Sequence, residues 1–170
     1  MLGKTAGGLY WMFRSLERAE NTARLIEAGF RIALTRSTSA EAEWKSVIVT
    51  SAAQAAYEVR HDRYDSENVV DFLLRDTDNP SSVLSVIKAA RDNARLVRTA
   101  ITTEVWSSVN ETWMVLTQLL KDPIPQPELP AVLATIRQQS AVVRGALHGT
   151  MLRNDIYDFC RLGTFSERMD

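Results

Sequence analysis

The stretch LYWMFRSLERAENTARLIEAGFRIAL (residues 9–34) predicts a long amphipathic helix, and its pattern sets the expectation for the whole chain. Apolar residues recur in it at steps of three and four, the spacing that places side chains on one face of an α-helix. The pattern extends over residues 8–36. Its apolar positions are Leu9, Met12, Leu16, Ala19, Ala23, Ile26, Phe30 and Ala33.

Helical spacing continues along the chain and predicts an all-α fold. A second helix is expected from the N-cap candidate Ser39 through Val59, and a short helix behind a cap at Ser66. The Pro-rich stretch 123–130 predicts an extended linker. No stretch keeps the alternation of a β-strand for long, so we expect one domain over residues 1–170, an antiparallel bundle of six to seven helices. Further helices are predicted at about 83–101, 103–120, 130–151 and from 154 onward.

The composition restricts the class of partner and the compartment. The chain has twenty basic and twenty-one acidic residues, a net charge of −1, whereas nucleic-acid and anionic-membrane binders usually carry a basic excess. Cys160 is the single cysteine, which excludes an intramolecular disulfide and favours a reducing compartment. The N-terminal sequence has neither a signal-peptide core nor an apolar run that could span a bilayer. We therefore expect a cytoplasmic protein that binds neither nucleic acid nor a membrane.

Polar residues form a second stripe on the first helix. Arg14, Glu17, Asn21 and Arg24 are spaced three, four and three residues apart, roughly opposite the apolar face. The stripe is open to three interpretations. It is a solvated face with weak ion pairs, or it packs against the second Glu-Arg repeat at the end of the chain or against a partner, through a desolvated, bidentate arginine–carboxylate network. In the third, Glu17 is a general acid or base with Arg18 beside it, which makes these two the catalytic candidates.

The end of the chain repeats the Glu-Arg pair. When YWMFRSLERAE (10–20) is aligned with CRLGTFSERMD (160–170), Glu17 and Arg18 match Glu167 and Arg168. A second repeat would then open near residue 155. The binding residues predicted from the two segments are Arg14, Glu17, Arg18, Asn21, Arg24, Glu167 and Arg168.

Three blocks of the sequence resemble the bacterial alpha-E family, a predicted α-helical domain named for its Glu-Arg motif. They are MLGKTAGGLYWMFRSLERAENTARLI (1–26), NPSSVLSVIKAARDNARLVRTAITTEVWSSVNE (79–111) and GTMLRNDIYDFCRLGTFSERMD (149–170). The resemblance implies that the chain corresponds to the N-terminal half of an internally duplicated architecture. An incomplete bundle would leave apolar surface exposed, so we expect self-association.

The resemblance implies no established activity, but it suggests a pathway. Genes of this family tend to accompany those for ATP-grasp-type ligases and transglutaminase-like proteins. This implies an accessory component that docks on such a protein in a system that makes or modifies peptides or amides. The alternatives are an enzyme of that pathway, with Glu17, Arg14 and Arg18 lining a pocket, and a nucleic-acid-binding bundle.

The nucleic-acid alternative depends on a basic strip on the fourth predicted helix. Its residues repeat the three-four-three spacing and would meet phosphate, an acidic partner surface or only solvent. They are Lys88, Arg91, Arg95 and Arg98.

Motifs for metals and nucleotides are missing from the sequence. His61 and His148 are the only histidines and stand in no metal-ligand spacing, and no Walker-type or Gly-x-Gly-x-x-Gly loop occurs. We therefore expect neither a metal nor a cofactor. The inward spacing of three tryptophans predicts that they belong to the core, as does that of Cys160. They are Trp44, Trp106 and Trp113.

Overall fold

The computed structural model describes residues 3–35 and 39–170, and these residues form an all-helical fold, as predicted. Within them lie eight α-helices and one short 3₁₀ helix, Gln126–Glu128. The α-helices are α1 (Gly3–Thr35), α2 (Ala40–Thr50), α3 (Gln54–Glu58), α4 (Ser66–Leu74), α5 (Val83–Leu96), α6 (Thr103–Leu119), α7 (Leu129–Thr150) and α8 (Asp155–Met169). Residue 36, the expected end of the first helix, lies outside the described residues.

The first helix is the centre of the bundle. It packs against α2, α4, α5, α7 and α8. Its predicted apolar face is buried from Leu9 to Ile26. Two glycines allow close approach, because a Cβ at Gly8 would overlap Val97, which directly follows α5, and one at Gly29 would overlap Val47 of α2. The helix that decides the fold is therefore enclosed on several sides rather than packed along a single face.

The consecutive helices α5 and α6 run antiparallel, as expected, but α1 and α8 run in the same direction. Arg91 of α5 donates a hydrogen bond to Asn110 of α6, and Arg98, just after α5, lies over Trp106 of α6. A later residue on one side thus contacts an earlier residue on the other, which is the pattern of an antiparallel pair. On α8, Gly163 lies against the backbone of Tyr10 and Arg14. One turn further along α8, Glu167 binds Arg14 and Arg18. Later residues of α8 thus contact later residues of α1, which is the pattern of a parallel pair.

The helix expected to reach Val59 is broken at Ala52, which has a φ of 56°. This left-handed conformation ends α2, and the chain resumes as the short α3. Sequence reasoning missed the break because the residue is alanine and not glycine, the usual marker of that conformation. The break is one reason why the bundle has more helices than the six to seven expected.

The ends of three helices can also be compared with the sequence predictions, and two of them differ. The cap of α4 is Asp65, whose side chain accepts a hydrogen bond from the Asn68 amide at 2.9 Å, and not Ser66, which is the first helical residue. Ser39 does precede α2, although its side chain makes no capping hydrogen bond. The fifth helix ends at Leu96, short of the predicted residue 101. Such boundary errors are common because neighbouring polar residues compete for the cap position.

Replacement of Ala52 by glycine should stabilise the protein. A left-handed alanine costs about 1 kcal/mol relative to glycine, so Ala52→Gly should raise the free energy of unfolding by roughly that amount. The matched control is Ala141→Gly on the exposed face of α7, where glycine should lower stability by about 1 kcal/mol. Urea unfolding of both variants measures the difference, and a loss of stability in Ala52→Gly would contradict the assignment.

Candidate functional site

The two Glu-Arg pairs bind each other across the contact between α1 and α8. Arg168 donates from Nε to Glu17 Oε1 at 2.6 Å. In the other direction, Arg18 donates from Nε and Nη2 to the two carboxylate oxygens of Glu167, at 2.6 and 2.9 Å. Each carboxylate thus binds the guanidinium of the other pair. We call these four residues the Glu-Arg clamp.

The parallel course of the two helices makes this exchange possible. Adjacent residues of a helix point about 100° apart, so Glu17 and Arg18 cannot pair with each other. A parallel neighbour in matching register instead offers each charge an opposite partner at the same height. Close approach is needed as well, and Gly163 permits it, because a Cβ there would overlap the Tyr10 carbonyl oxygen.

Arg14 extends the clamp toward the end of α8. Its Nε donates to Glu167 Oε2 at 2.9 Å and its Nη1 to the Tyr10 hydroxyl at 2.8 Å, and it also forms an ion pair with Asp170. The hydrogen bond with Tyr10, joined by that with Glu167, raises the pKa of Arg14. Arg14 therefore stays charged and links three partners on two helices.

A third buried carboxylate, Glu20, connects the clamp to α7. Arg144 of α7 and Arg24 of α1 both donate to it, and Arg144 also lies 3.6 Å from Glu17. Burial raises the pKa of Glu20, but the hydrogen bonds from Arg144 and Arg24 outweigh burial, so its pKa lies below the usual value. The sequence prediction missed Glu20 and Arg144. A signal for Glu20 existed, since it matches Asp170 when the repeats are aligned.

The polar stripe is not a solvated face, so that interpretation was wrong. Glu17 is 4% exposed and Glu167 is 9% exposed. The geometry is that of the intramolecular network, with bidentate pairing between Arg18 and Glu167. Five of the seven predicted binding residues meet here, whereas two lie at the edge: Asn21 faces a cavity and Arg24 pairs with Glu20. Whether any of them binds a ligand or partner stays a prediction.

The arrangement of Glu17 bears on the catalytic interpretation. Its Oε1 accepts from Arg168, and its Oε2 faces Arg144. A general base needs a free oxygen aimed at the substrate proton. The ion pairs hold this carboxylate as an acceptor of arginine hydrogen bonds, and the cavity beside the clamp is not lined by Glu17. The geometry therefore gives a general acid or base role at Glu17 little support.

A cavity of about 440 Å³ lies beside the clamp, between α1, the α2–α3 turn and the end of α8. Three predicted binding residues, Arg18, Asn21 and Glu167, line it. Two other cavities, of about 300 and 620 Å³, are lined by none of the clamp residues. The clamp cavity is thus the concave surface that the predicted binding residues share.

The basic strip on α5 takes part in packing against α6. Arg91 lies 4.1 Å from the Trp113 ring centre and bonds Asn110, and Arg98 lies over Trp106. Lys88 pairs with Asp92 at 2.7 Å, while Arg95 is exposed. The structure also corrects the core prediction, because these two tryptophans are only partly buried under the arginines, whereas Trp44 and Cys160 are buried.

Aromatic and basic residues meet where α7 ends and α8 begins. His148 Nδ1 and the Tyr157 hydroxyl are 2.7 Å apart. Arg153 stacks on the Tyr157 ring at 4.1 Å, and Arg161 stacks on Phe165 at 4.6 Å. Burial, with the nearby arginine charges, lowers the pKa of His148. We found no sequence signal for this cluster, because its members are spread over two helices and the turn between them.

The fold and the clamp define a class of protein: an α-helical domain held together by two Glu-Arg pairs. The model of the Alpha-E family, described as a predicted alpha-helical domain with a conserved ER motif, matches residues 1–170. The chain belongs to the Alpha-E family. Comparisons with curated proteins and with solved structures gave no match. None of the helices in the described part is long and apolar enough to cross a membrane.

Removal of one clamp charge should destabilise the fold. Breaking a buried ion pair from one side costs ~3–5 kcal/mol, and we expect Glu17→Gln to cost about 2 kcal/mol, because the Arg168 side chain is 48% exposed. The control is Asp92→Asn in the exposed pair with Lys88, which should cost less than about 0.5 kcal/mol. Urea unfolding measures both. Equal costs would mean that the clamp is an ordinary surface contact.

Acid should weaken the contact between α1 and α7 through Glu20. Its folded-state pKa lies below the ordinary value of 4.5, so its contribution is present above that value and is lost as the pH falls through the folded-state pKa. The stability gap between the natural chain and Glu20→Gln should therefore be larger at about pH 6 than at about pH 3. Unfolding curves at both values test this, and a constant gap would contradict it.

Proposed function

We propose that this protein is a non-catalytic accessory component of a cytoplasmic bacterial system that makes or modifies peptide or amide bonds, and that it docks on an ATP-grasp-type ligase. One observation carries the proposal. The Glu-Arg clamp uses its charges internally, while the outer face of α8 displays apolar side chains beside arginines that pair with no carboxylate of the described residues. The class of system is what the family resemblance implies.

The clamp supports a structural role for the motif more than a catalytic one. The three buried carboxylates, Glu17, Glu20 and Glu167, each accept hydrogen bonds from arginines. Such networks specify orientation more than they add stability. The motif therefore fits a device that fixes α8 on α1, and the enzyme alternative has less support because these carboxylates are already engaged.

The outer face of α8 has the features of a docking surface. Leu162, Phe165 and Met169 are spaced three and four residues apart and are 53%, 43% and 81% exposed. Single exposed apolar residues are normal, but several on one face commonly mark an interaction site. We call these three residues the outer stripe. A partner helix with an apolar face would cover it.

Charge at the outer stripe indicates what the partner offers. Arg161 lies over Phe165, and Arg153 lies near the start of the same helix. Within residues 3–35 and 39–170, neither guanidinium pairs with a carboxylate; their hydrogen bonds go to Tyr157, His148 and a backbone oxygen. The surface therefore fits a helix that carries carboxylates beside its apolar residues. Asp158 on α8 is negatively charged, so the carboxylates of the partner would lie away from it.

The ligase is the first partner to test, and a transglutaminase-like protein is the other that the resemblance implies. A second copy of this chain could also cover the outer stripe, and the expected self-association would require such a contact. The nucleic-acid alternative has less support, because two arginines of its strip, Arg91 and Arg98, cover tryptophan rings of α6.

The test is a titration of the purified chain with a purified ATP-grasp-type ligase from the same genome. We expect Phe165→Ser to weaken binding by about tenfold or more, because it removes an aromatic anchor. The matched control is Met114→Ser on the exposed surface of α6, which should leave the affinity unchanged. Arg161→Glu should weaken binding most at low salt.

Three results would overturn the proposal. They are no binding to the ligase, equal losses in Phe165→Ser and Met114→Ser, and an assembly of the chain with itself that only Phe165→Ser disrupts. Sedimentation of the chain alone distinguishes the last result, because self-association through the outer stripe would give a larger particle that depends on concentration.

A further inference from the structure

The clamp cavity carries polar groups that the fold leaves without partners. Asn21 and Thr22 of α1 and Ser81 before α5 line it, and each is half-buried. In the described part of the chain, none of their side chains makes a hydrogen bond. Arg18 uses Nε and Nη2 on Glu167, which leaves Nη1 without a partner among the described residues. Half-buried groups of this kind can bind either water or a ligand.

The charges of the cavity select among ligands. Arg18 supplies a cation, whereas Glu167 and Asp170 supply anions on the same wall. A strongly anionic ligand such as a phosphate would meet the two carboxylates, and a polyamine would meet the arginine. A dipolar ligand can place its carboxylate near Arg18 and its ammonium near Asp170. Arg14 binds Oδ2 of Asp170, and no described residue binds its Oδ1.

The remaining walls fit a peptide-like molecule. Leu25 and Leu73 provide apolar surface, and the turn with the left-handed Ala52 also lines the cavity. The volume of about 440 Å³ lies within the ~300–1,000 Å³ typical of small-molecule sites. We infer that this cavity binds a small dipolar ligand of the amino-acid or short-peptide class, between Arg18, Asn21, Thr22 and Asp170. The inference goes beyond the docking function, because the outer stripe is on a different face of α8.

The test uses the full chain and three probes: the dipeptide glycyl-leucine, inorganic phosphate and spermidine. Glycyl-leucine should raise the melting temperature as its concentration rises, because a ligand that binds only the folded state stabilises it by mass action. It should also shift the backbone amide resonances of Asn21, Thr22 and Ser81. Phosphate and spermidine should do neither.

Matched variants locate the site. Thr22→Val removes a hydroxyl with little change of shape and should weaken glycyl-leucine binding by about fivefold. Thr117→Val on the exposed surface of α6 is the control and should not change it. No response to glycyl-leucine at millimolar concentration, an equal loss in both variants, or a response to phosphate or spermidine instead would each overturn the inference. Ligase binding is measured separately, so failure here leaves the docking proposal standing.

Discussion

The crossed ion pairs between two parallel helices are the interaction on which the rest of this structure depends. A buried carboxylate is costly unless it is paired, and the hydrogen bonds from arginine to Glu17 and Glu167 form only when α8 lies on α1 in one register. A shift of α8 by a single residue would turn its charges about 100° away from their partners. The clamp therefore fixes both the position and the rotation of α8.

The exchange of partners has the form of an isologous contact, in which each element offers the same residues to the other. Here both elements belong to one chain, and this answers why the chain carries two Glu-Arg pairs. The two helices nevertheless have different surroundings. α1 is enclosed by five other helices, whereas Leu162 and Met169 of α8 face outward. Because α8 is less enclosed than α1, it is the helix that can present a surface to a partner.

The Glu-Arg motif can have a structural role and a binding role at the same time, because different atoms serve each role. Both carboxylates and the Nε atoms of both arginines are used inside the protein, while Arg18 and Asn21 also line the cavity. The motif can thus hold the fold and shape one wall of a site at the same time. Arg144 and Glu20 extend the network of ion pairs from the clamp to α7.

The sequence by itself determined the helical class, the apolar face of α1 and the set of charged residues that meet in the clamp. Those features follow from local periodicity, which a 3.6-residue repeat reveals without knowledge of contacts. Sequence reasoning failed at Ala52, because a left-handed residue is normally predicted from a glycine and none is present there. It also failed at Trp106 and Trp113, because the arginines that cover them come from a different part of the chain, α5 and the turn after it. Only the tertiary structure decided that the polar stripe faces α8 and not solvent. The partners in the clamp are about 150 residues apart, and no local spacing can show which distant helix will neutralise a buried charge.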